Sequence, residues 1–411
     1  MNKRKTKFIL GFPVSIESAE NTADQRKKSR QRGVAMLIAL LVTALTMLFL
    51  AELKIATAVS NRLSLGHHLN TKAEYVAKSG ANLGLLLLTS DFALELTIFE
   101  LGQGTQQAIS PPKIWDMLNG FPIGGDTVEM VSAMQEGFDL SSVNDSKVLD
   151  QVKDLGGSFV INIEDEASKI NINFCGRGNG IKCMTMLEAL FSCPAEREYL
   201  ERRKLVATDL VTRIRDYVDE NNRPDPKANY SSEEDPYDGK SDNLFPKNAY
   251  FDTLDELLNI PGWDRELHKI FSPYLTVYPL PKTTTNQSNL TVNYNGASRE
   301  LLGCLLPKTN IDCNEQAAIF SNLTEEDERY QEPPNNSQGL KQILQQYHCT
   351  SDADKAKQFS YRSDIFRMNV TGIVEGQEKT ISTVVQRGLP DDFDKRDEYS
   401  SVYKYLHWKM L

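Results

Sequence analysis

The chain has 411 residues, with 46 Lys plus Arg against 56 Asp plus Glu and a formal net charge of −10. That length excludes a disulfide miniprotein, 24 Gly and 17 Pro give no collagen-like or wholly disordered composition, and a mean hydropathy of −0.41 excludes a multi-span membrane protein. About two to three domains are expected, with at least one sizeable core.

Residues 1–33 carry nine basic and three acidic side chains, a local charge of +6, so the remaining 378 residues carry −16. The basic cluster ends at Arg32-Gly33 and meets Val34–Ala51, eighteen residues without a charge. At 1.5 Å per residue such a helix is about 27 Å long, enough for one membrane span with a cytoplasmic N-terminus. A cleaved secretory signal, a plain anchor and a buried core helix compete with a retained span. The one Ala-x-Ala, Ala56-Thr57-Ala58, lies beyond the charged Glu52 and Lys54, poorly placed for a secretory cut. Glu52 to Leu88 then continues without proline, with apolar or small residues at Leu69, Ala73, Val76, Ala77, Gly80, Leu83, Gly84 and Leu87, which predicts one long helix. Gly33, lacking a side chain, would suit a peptidase cleft on the cytoplasmic side, with the cut at Gly33-Val34 leaving the helix attached.

Phe159–Ile163 and Ile170–Phe174 alternate apolar and polar residues around an acidic link, predicting a strand pair or a strand and its continuation. A second strand-plus-Asn phrase, Leu290–Ser298, follows about 115 residues of mostly helical pattern. Within that bracket Met184–Phe191 and Arg197–Val218 are expected to be helices, then Phe251–Asn259 a capped helix stopped by Ile260-Pro261-Gly262, then a helix from near Asp264 to Ser272-Pro273. Helix, Pro-Gly turn, helix is also the grammar of a helix-hairpin-helix DNA module, but DNA needs a basic face, and Asp216–Gly239 has eight carboxylates and only Arg223 and Lys227 as cations.

That acidic loop is the most chemically suggestive stretch. Asp216, Asp219, Asn221, Asp225, Glu233, Glu234, Asp235 and Asp238 are hard oxygen donors on a Pro, Asn and Ser-rich loop, as Ca²⁺ requires, although no EF-hand spacing is present; a solvated acidic loop is the alternative. Six cysteines allow fifteen pairings, and short separations favour Cys175 with Cys183 and Cys304 with Cys313, leaving Cys193 and Cys349 to pair at long range or stay free. Catalytic patterns are missing from the sequence: there is no His-Glu-x-x-His, no Gly-x-Ser-x-Gly, and Gly176–Gly180 is a glycine run between cysteines with no Lys-Ser after it. No enzyme is expected. His67-His68 is expected to be solvated. After a polar loop to Gln338, Gly339–Tyr347 is a short predicted helix. Ile365–Glu375 and Glu378–Arg387 form a predicted hairpin turning at Gly376-Gln377, and residues 391–411 a loose charged tail.

Arg32-Gly33-Val34-Ala35-Met36-Leu37-Ile38 with its long helix resembles a type IV prepilin or type II secretion pseudopilin. Most members have Glu as the fifth residue after the cut; Ile38 stands there in this chain, as in the K-type minor pseudopilin. A subunit with no neighbour above it has no amine to neutralise, and an unpaired carboxylate in lipid would cost about 2.5 kcal/mol or more. Val160–Glu166 with Lys169–Asn173, the phrase at Leu290–Ser298, Tyr217–Asn221, Ser232–Tyr237 and the strands at Phe366–Gly372 and Ile381–Arg387 resemble the same K-type family. The resemblance implies an α+β pseudopilin fold, a long N-terminal helix packed on an antiparallel sheet with a large inserted all-α, SAM-like domain. Its expected parts are a leader at 1–33, the membrane and extended helix at 34–90, a first β region at 91–174, the insertion at 175–288, a return to the sheet at 289–390, and the tail. It further implies a non-enzymatic component at the tip of the secretion pseudopilus, single-pass in the inner membrane with its bulk in the periplasm. The implied partners are I, J and H-type pseudopilins, the major pseudopilin and the prepilin peptidase, with no nucleic acid, and calcium in the acidic loop. The rival is a membrane-anchored periplasmic binding protein with hairpin modules for DNA or protein.

Overall fold

The computed structural model describes residues 8–9, 12–13, 17–102, 113–124, 156–176, 180–239, 244–281, 290–305, 358–360, 363–387 and 403–411, and divides into two units, residues 1–71 and 72–411. The first unit has two-residue strands β1 (Phe8–Ile9) and β2 (Phe12–Pro13), paired antiparallel, and the start of α1 (Glu17–Gly102). Gly33-Val34 lies inside that helix. From Val34 to Leu65 the large apolar side chains are exposed, and the stretch is long and apolar enough to cross a membrane. Thr43, Thr46 and Thr57 bond back to carbonyls three or four residues earlier, so these hydroxyls have partners without water. His67 and His68 are exposed, as expected.

The second unit continues α1 and adds β3 (Pro122–Gly124), β4 (Ser158–Asp165) and β5 (Ile170–Asn171). Helices α2 (Ile181–Phe191), α3 (Pro194–Arg202), α4 (Ala207–Val218) and α5 (Arg265–Phe271) follow, then β6 (Leu275–Thr276), β7 (Val292–Asn293) and α6 (Arg299–Leu305). The chain closes with β8 (Phe359–Ser360), β9 (Ile365–Val374), β10 (Gln377–Arg387) and β11 (Tyr403–Met410). Five strands form one antiparallel sheet in the order β11-β10-β9-β4-β3. The architecture is the expected α+β one.

Small residues let α1 lie close on this sheet. Ala73, Ala77, Gly80 and Gly84 recur at helical spacing; a Cβ at Gly80 would sit 2.6 Å from Val370, and one at Gly84 2.8 Å from Met368. From the sheet side, Gly372 lies directly against the backbone of Ala73 and Ala77. At the far end of this contact, buried Arg387 stacks between the rings of Phe92 and Phe366, reaches Asp91 at 3.4 Å and donates to the Ser363 carbonyl. The strand-plus-Asn phrases have a stitching role. Asn173 donates to the carbonyls of Phe251 and Val277 and accepts from Phe251 N–H, Asn171 donates to the Pro279 carbonyl, and Asn293 donates to Asp165 and Ser363.

Several expectations need correction. Ile170–Phe174 does not pair with Phe159–Ile163: β5 pairs in parallel with β6, and Ile172–Gly176 is 3-10 helix. Arg197–Val218 is two helices, because Lys204 takes φ +58° and closes α3 with Leu205 N–H on Leu200 C=O and Lys204 N–H on Glu201 C=O; a lysine fills a glycine's usual place in a Schellman stop. Phe251–Asn259 supplies a 3-10 segment, Leu254–Asn259, with a Thr253/Glu256 capping box. The hairpin turns at Glu375 (φ +48°) and Gly376 (φ +80°), one residue earlier than expected, since a two-residue primed turn needs both φ values positive. Within the supposed tail of 391–411, Tyr403–Met410 is strand β11, its alternating aromatic and basic residues suiting a sheet edge. Cys175 pairs with Cys183 as expected, but Cys304 pairs with Cys193, not Cys313. The buried Leu301, Leu302 and Leu305 of α6 join the helical core that contains α2, which brings Cys304 to the α2–α3 junction. Cys313, Cys349 and the predicted helix at 339–347 lie outside the described residues.

Candidate metal centre

Helix α4 buries Leu210, Val211 and Ile214, with Tyr217 continuing that face at its last turn, and on another side it buries Thr212 and, one turn on, Asp216. Asp219 follows in extended conformation, its N–H on the Arg215 carbonyl. The acidic loop then folds back onto Asp216: one carboxylate oxygen accepts Asp225 N–H at 3.0 Å and the other Tyr230 O–H at 2.6 Å. Ser231 and Ser232 N–H both bond Asp235, a turn that directs Glu233 inward.

The result is a cluster of three carboxylates. Asp216, Asp219 and Glu233 are 3%, 6% and 3% exposed, and each has an oxygen within 4.8 Å of the others'. Asp219 Oδ1 and both oxygens of Glu233 are buried without a hydrogen-bond partner, as is the nearby Tyr237 hydroxyl. Burial first, and the neighbouring acids second, push Glu233 up to about 7; burial likewise raises Asp216 to about 6 and raises Asp219. Arg215 offers incomplete compensation: its Nε is 3.9 Å from Asp219, while its Nη1 is held by Asp225. Buried carboxylates with orphaned oxygens are costly unless a cation or proton meets them, and an all-oxygen donor set fits a hard divalent ion.

Of the eight loop residues singled out in the sequence, three meet here and five do not. Asp225 is buried but bound to Arg215 and Lys227 N–H; Asp235 caps the serine turn; Asn221 accepts Arg223 N–H; Glu234 and Asp238 are exposed. Tyr230, Tyr237 and Arg215 were missed. Asp216 lies about 200° around α4 from Ile214, so the apolar phase of the helix gave no signal for this buried acid.

Several polar groups of the Pro-Gly hairpin are already bonded within the chain, although the Trp263 indole N–H is buried without a partner. Trp263 N–H bonds Ile260 C=O, Arg213 donates to Pro261 C=O, and Asp264 accepts Glu266 and Leu267 N–H at the start of α5. A carboxylate therefore sits where a phosphate would have to bind.

Residues 197–280 match the family model described as type II secretion system (T2SS), protein K. No curated protein matches the chain. Among solved structures, a chain of the GspK-GspI-GspJ complex from the enterotoxigenic Escherichia coli type 2 secretion system is similar at 14% identity and TM-score 0.44, over 81% of this chain and 98% of that one. The segment 197–280, which is similar to type II secretion system protein K, carries Asp216, Asp219 and Glu233.

Proposed function

We propose that the chain is a K-type minor pseudopilin of a type II secretion system: an assembly component, not an enzyme, at the tip of the pseudopilus that supports protein export. The observation that carries this reading is the presence, in one chain, of a segment similar to protein K and an apolar helix that continues onto an antiparallel sheet. In this reading the prepilin peptidase cuts between Gly33 and Val34, the helix stays in the inner membrane, and the body lies in the periplasm. I, J and H-type pseudopilins are its neighbours, and the major pseudopilin lies below. Ile38, with no acid to seat a neighbour's amine, suits a subunit over which nothing stacks. Intact-mass measurement of protein extracted from membranes tests it. A mature chain beginning at Val34 is expected; one beginning at Val59, or an uncut Met1, overturns it.

The carboxylate cluster is best read as a calcium centre. Asp216, Asp219 and Glu233 would hold the ion, which would supply positive charge and no redox or acid-base chemistry. Tyr230 orients Asp216, and the Asp235 turn holds Glu233 over α4. Equilibrium dialysis of the full chain should find a bound Ca²⁺ that Asp219→Asn and Glu233→Gln together abolish; unchanged binding in that variant would reject the assignment.

A further inference from the structure

The two edges of the five-stranded sheet are finished differently. β3 has three residues and begins at Pro122, a short edge of the kind that resists pairing. β11 has eight residues, no proline, and a ladder to β10 along one side only, with no strand among the described residues paired to its other side. Its end is pinned: Tyr403 O–H and Thr89 share a hydrogen bond of 3.0 Å, and Thr383 donates to His407 C=O at 2.8 Å. Leu411 N–H donates to Thr380 C=O, which sets the phase of the ladder. Backbone groups of Lys409 and Leu411 therefore turn toward β10, and those of Trp408 and Met410 turn outward.

The side chains of this edge divide by face. Opposite Val385, Thr383 and Ile381 stand Tyr405, Trp408 and Met410, which are 49%, 45% and 36% exposed, with the Tyr405 and Trp408 rings edge-to-face at 5.6 Å. Opposite Gln386 and Ser382, on the other face, stand Lys404 and Lys409, neither of which has an ion-pair partner among the described residues. A second copy of the chain would bring four lysines to one seam, which opposes self-pairing. We propose that β11 receives an extended segment of a partner protein whose residues alternate apolar and acidic, added as a sixth strand. Apolar side chains would cover Tyr405, Trp408 and Met410, acidic ones would meet Lys404 and Lys409, and main-chain bonds to Trp408 and Met410 would supply the rest. The inference is independent of the secretion reading.

The test uses the full chain in detergent and synthetic peptides of alternating valine and glutamate, alternating valine and lysine, and the valine–glutamate peptide with a central proline. Hydrogen exchange over residues 403–411 is followed by mass spectrometry. The glutamate peptide should slow exchange there about tenfold, the other two should not, and Lys404→Glu with Lys409→Glu should transfer the effect to the lysine peptide. Unchanged exchange with the glutamate peptide, equal protection by the proline-broken one, or no transfer in the charge-reversed variant would each overturn the proposal. So would concentration-dependent protection of 403–411 without peptide, which would mean that a second copy fills the edge.

Discussion

The contact of α1 with the sheet and the acidic end of α4 are both buried, yet they are closed by different physics. The first is complete within the chain: glycine and alanine on both sides bring backbone to backbone, and Arg387 finds Asp91, Ser363 and two aromatic rings. In the second, three carboxylates are buried together and two of them, Asp219 and Glu233, retain oxygens with no partner. Close packing fixes a geometry once the chain has folded, whereas an electrostatic deficit makes the geometry conditional on something the solution must supply.

Three perturbations would break or sharpen that contrast. The largest effect is expected from Cys193→Ser with Cys304→Ser. This disulfide closes a loop with a sequence separation of 111, and chain entropy puts its loss at about 5 kcal/mol, against about 2.5 kcal/mol for Cys175–Cys183 with its separation of 8. Urea unfolding followed by Trp263 fluorescence should rank the two pairs in that order; the reverse ranking would mean that the helical segment is not held through α6. Next, Gly372→Ala forces a Cβ into the backbone of Ala73 and Ala77, at a cost of about 3 kcal/mol. Hydrogen exchange should rise in β9 and the helix beside it, with residues 197–280 unaffected. Smallest is metal removal. Calcium at a hundred times its dissociation constant should contribute about 2.7 kcal/mol, lost on chelation, with faster exchange confined to the loop around Glu233. In the chelated protein Asp216 and Glu233 have raised pKa values, so the folded state binds more protons than the unfolded one between about pH 4 and about pH 7. Stability should therefore fall as pH rises through that window, and saturating calcium should flatten the fall. A metal-free protein that gains stability over the same range would contradict the clustering of these acids.

The sequence made some parts legible and hid others for identifiable reasons. The apolar run at Val34, the small-residue spacing from Ala73 to Gly84 and the β9–β10 alternation are periodic signals, and each matches the structure. The acidic loop was visible as composition, but composition cannot tell Asp235, consumed as a turn cap, from Glu233, turned inward by that same cap. Lys204 concealed a helix stop because a positive φ is a backbone property that lysine does not advertise. Cys193 and Cys304 meet through helix docking, which sequence distance does not report. β11 was obscured by the charged stretch before it, although its own aromatics carry the strand preference.

The short parallel pairing of β5 with β6 has a consequence for ancestry. Ile170, where the chain departs, lies beside Leu275, where it comes back, so the whole helical excursion passes through a single doorway. Such a cassette can be lengthened, trimmed or exchanged without rethreading any strand of the main sheet, provided that the two doorposts stay next to each other and the tie from Cys193 to Cys304 of α6 is kept or replaced.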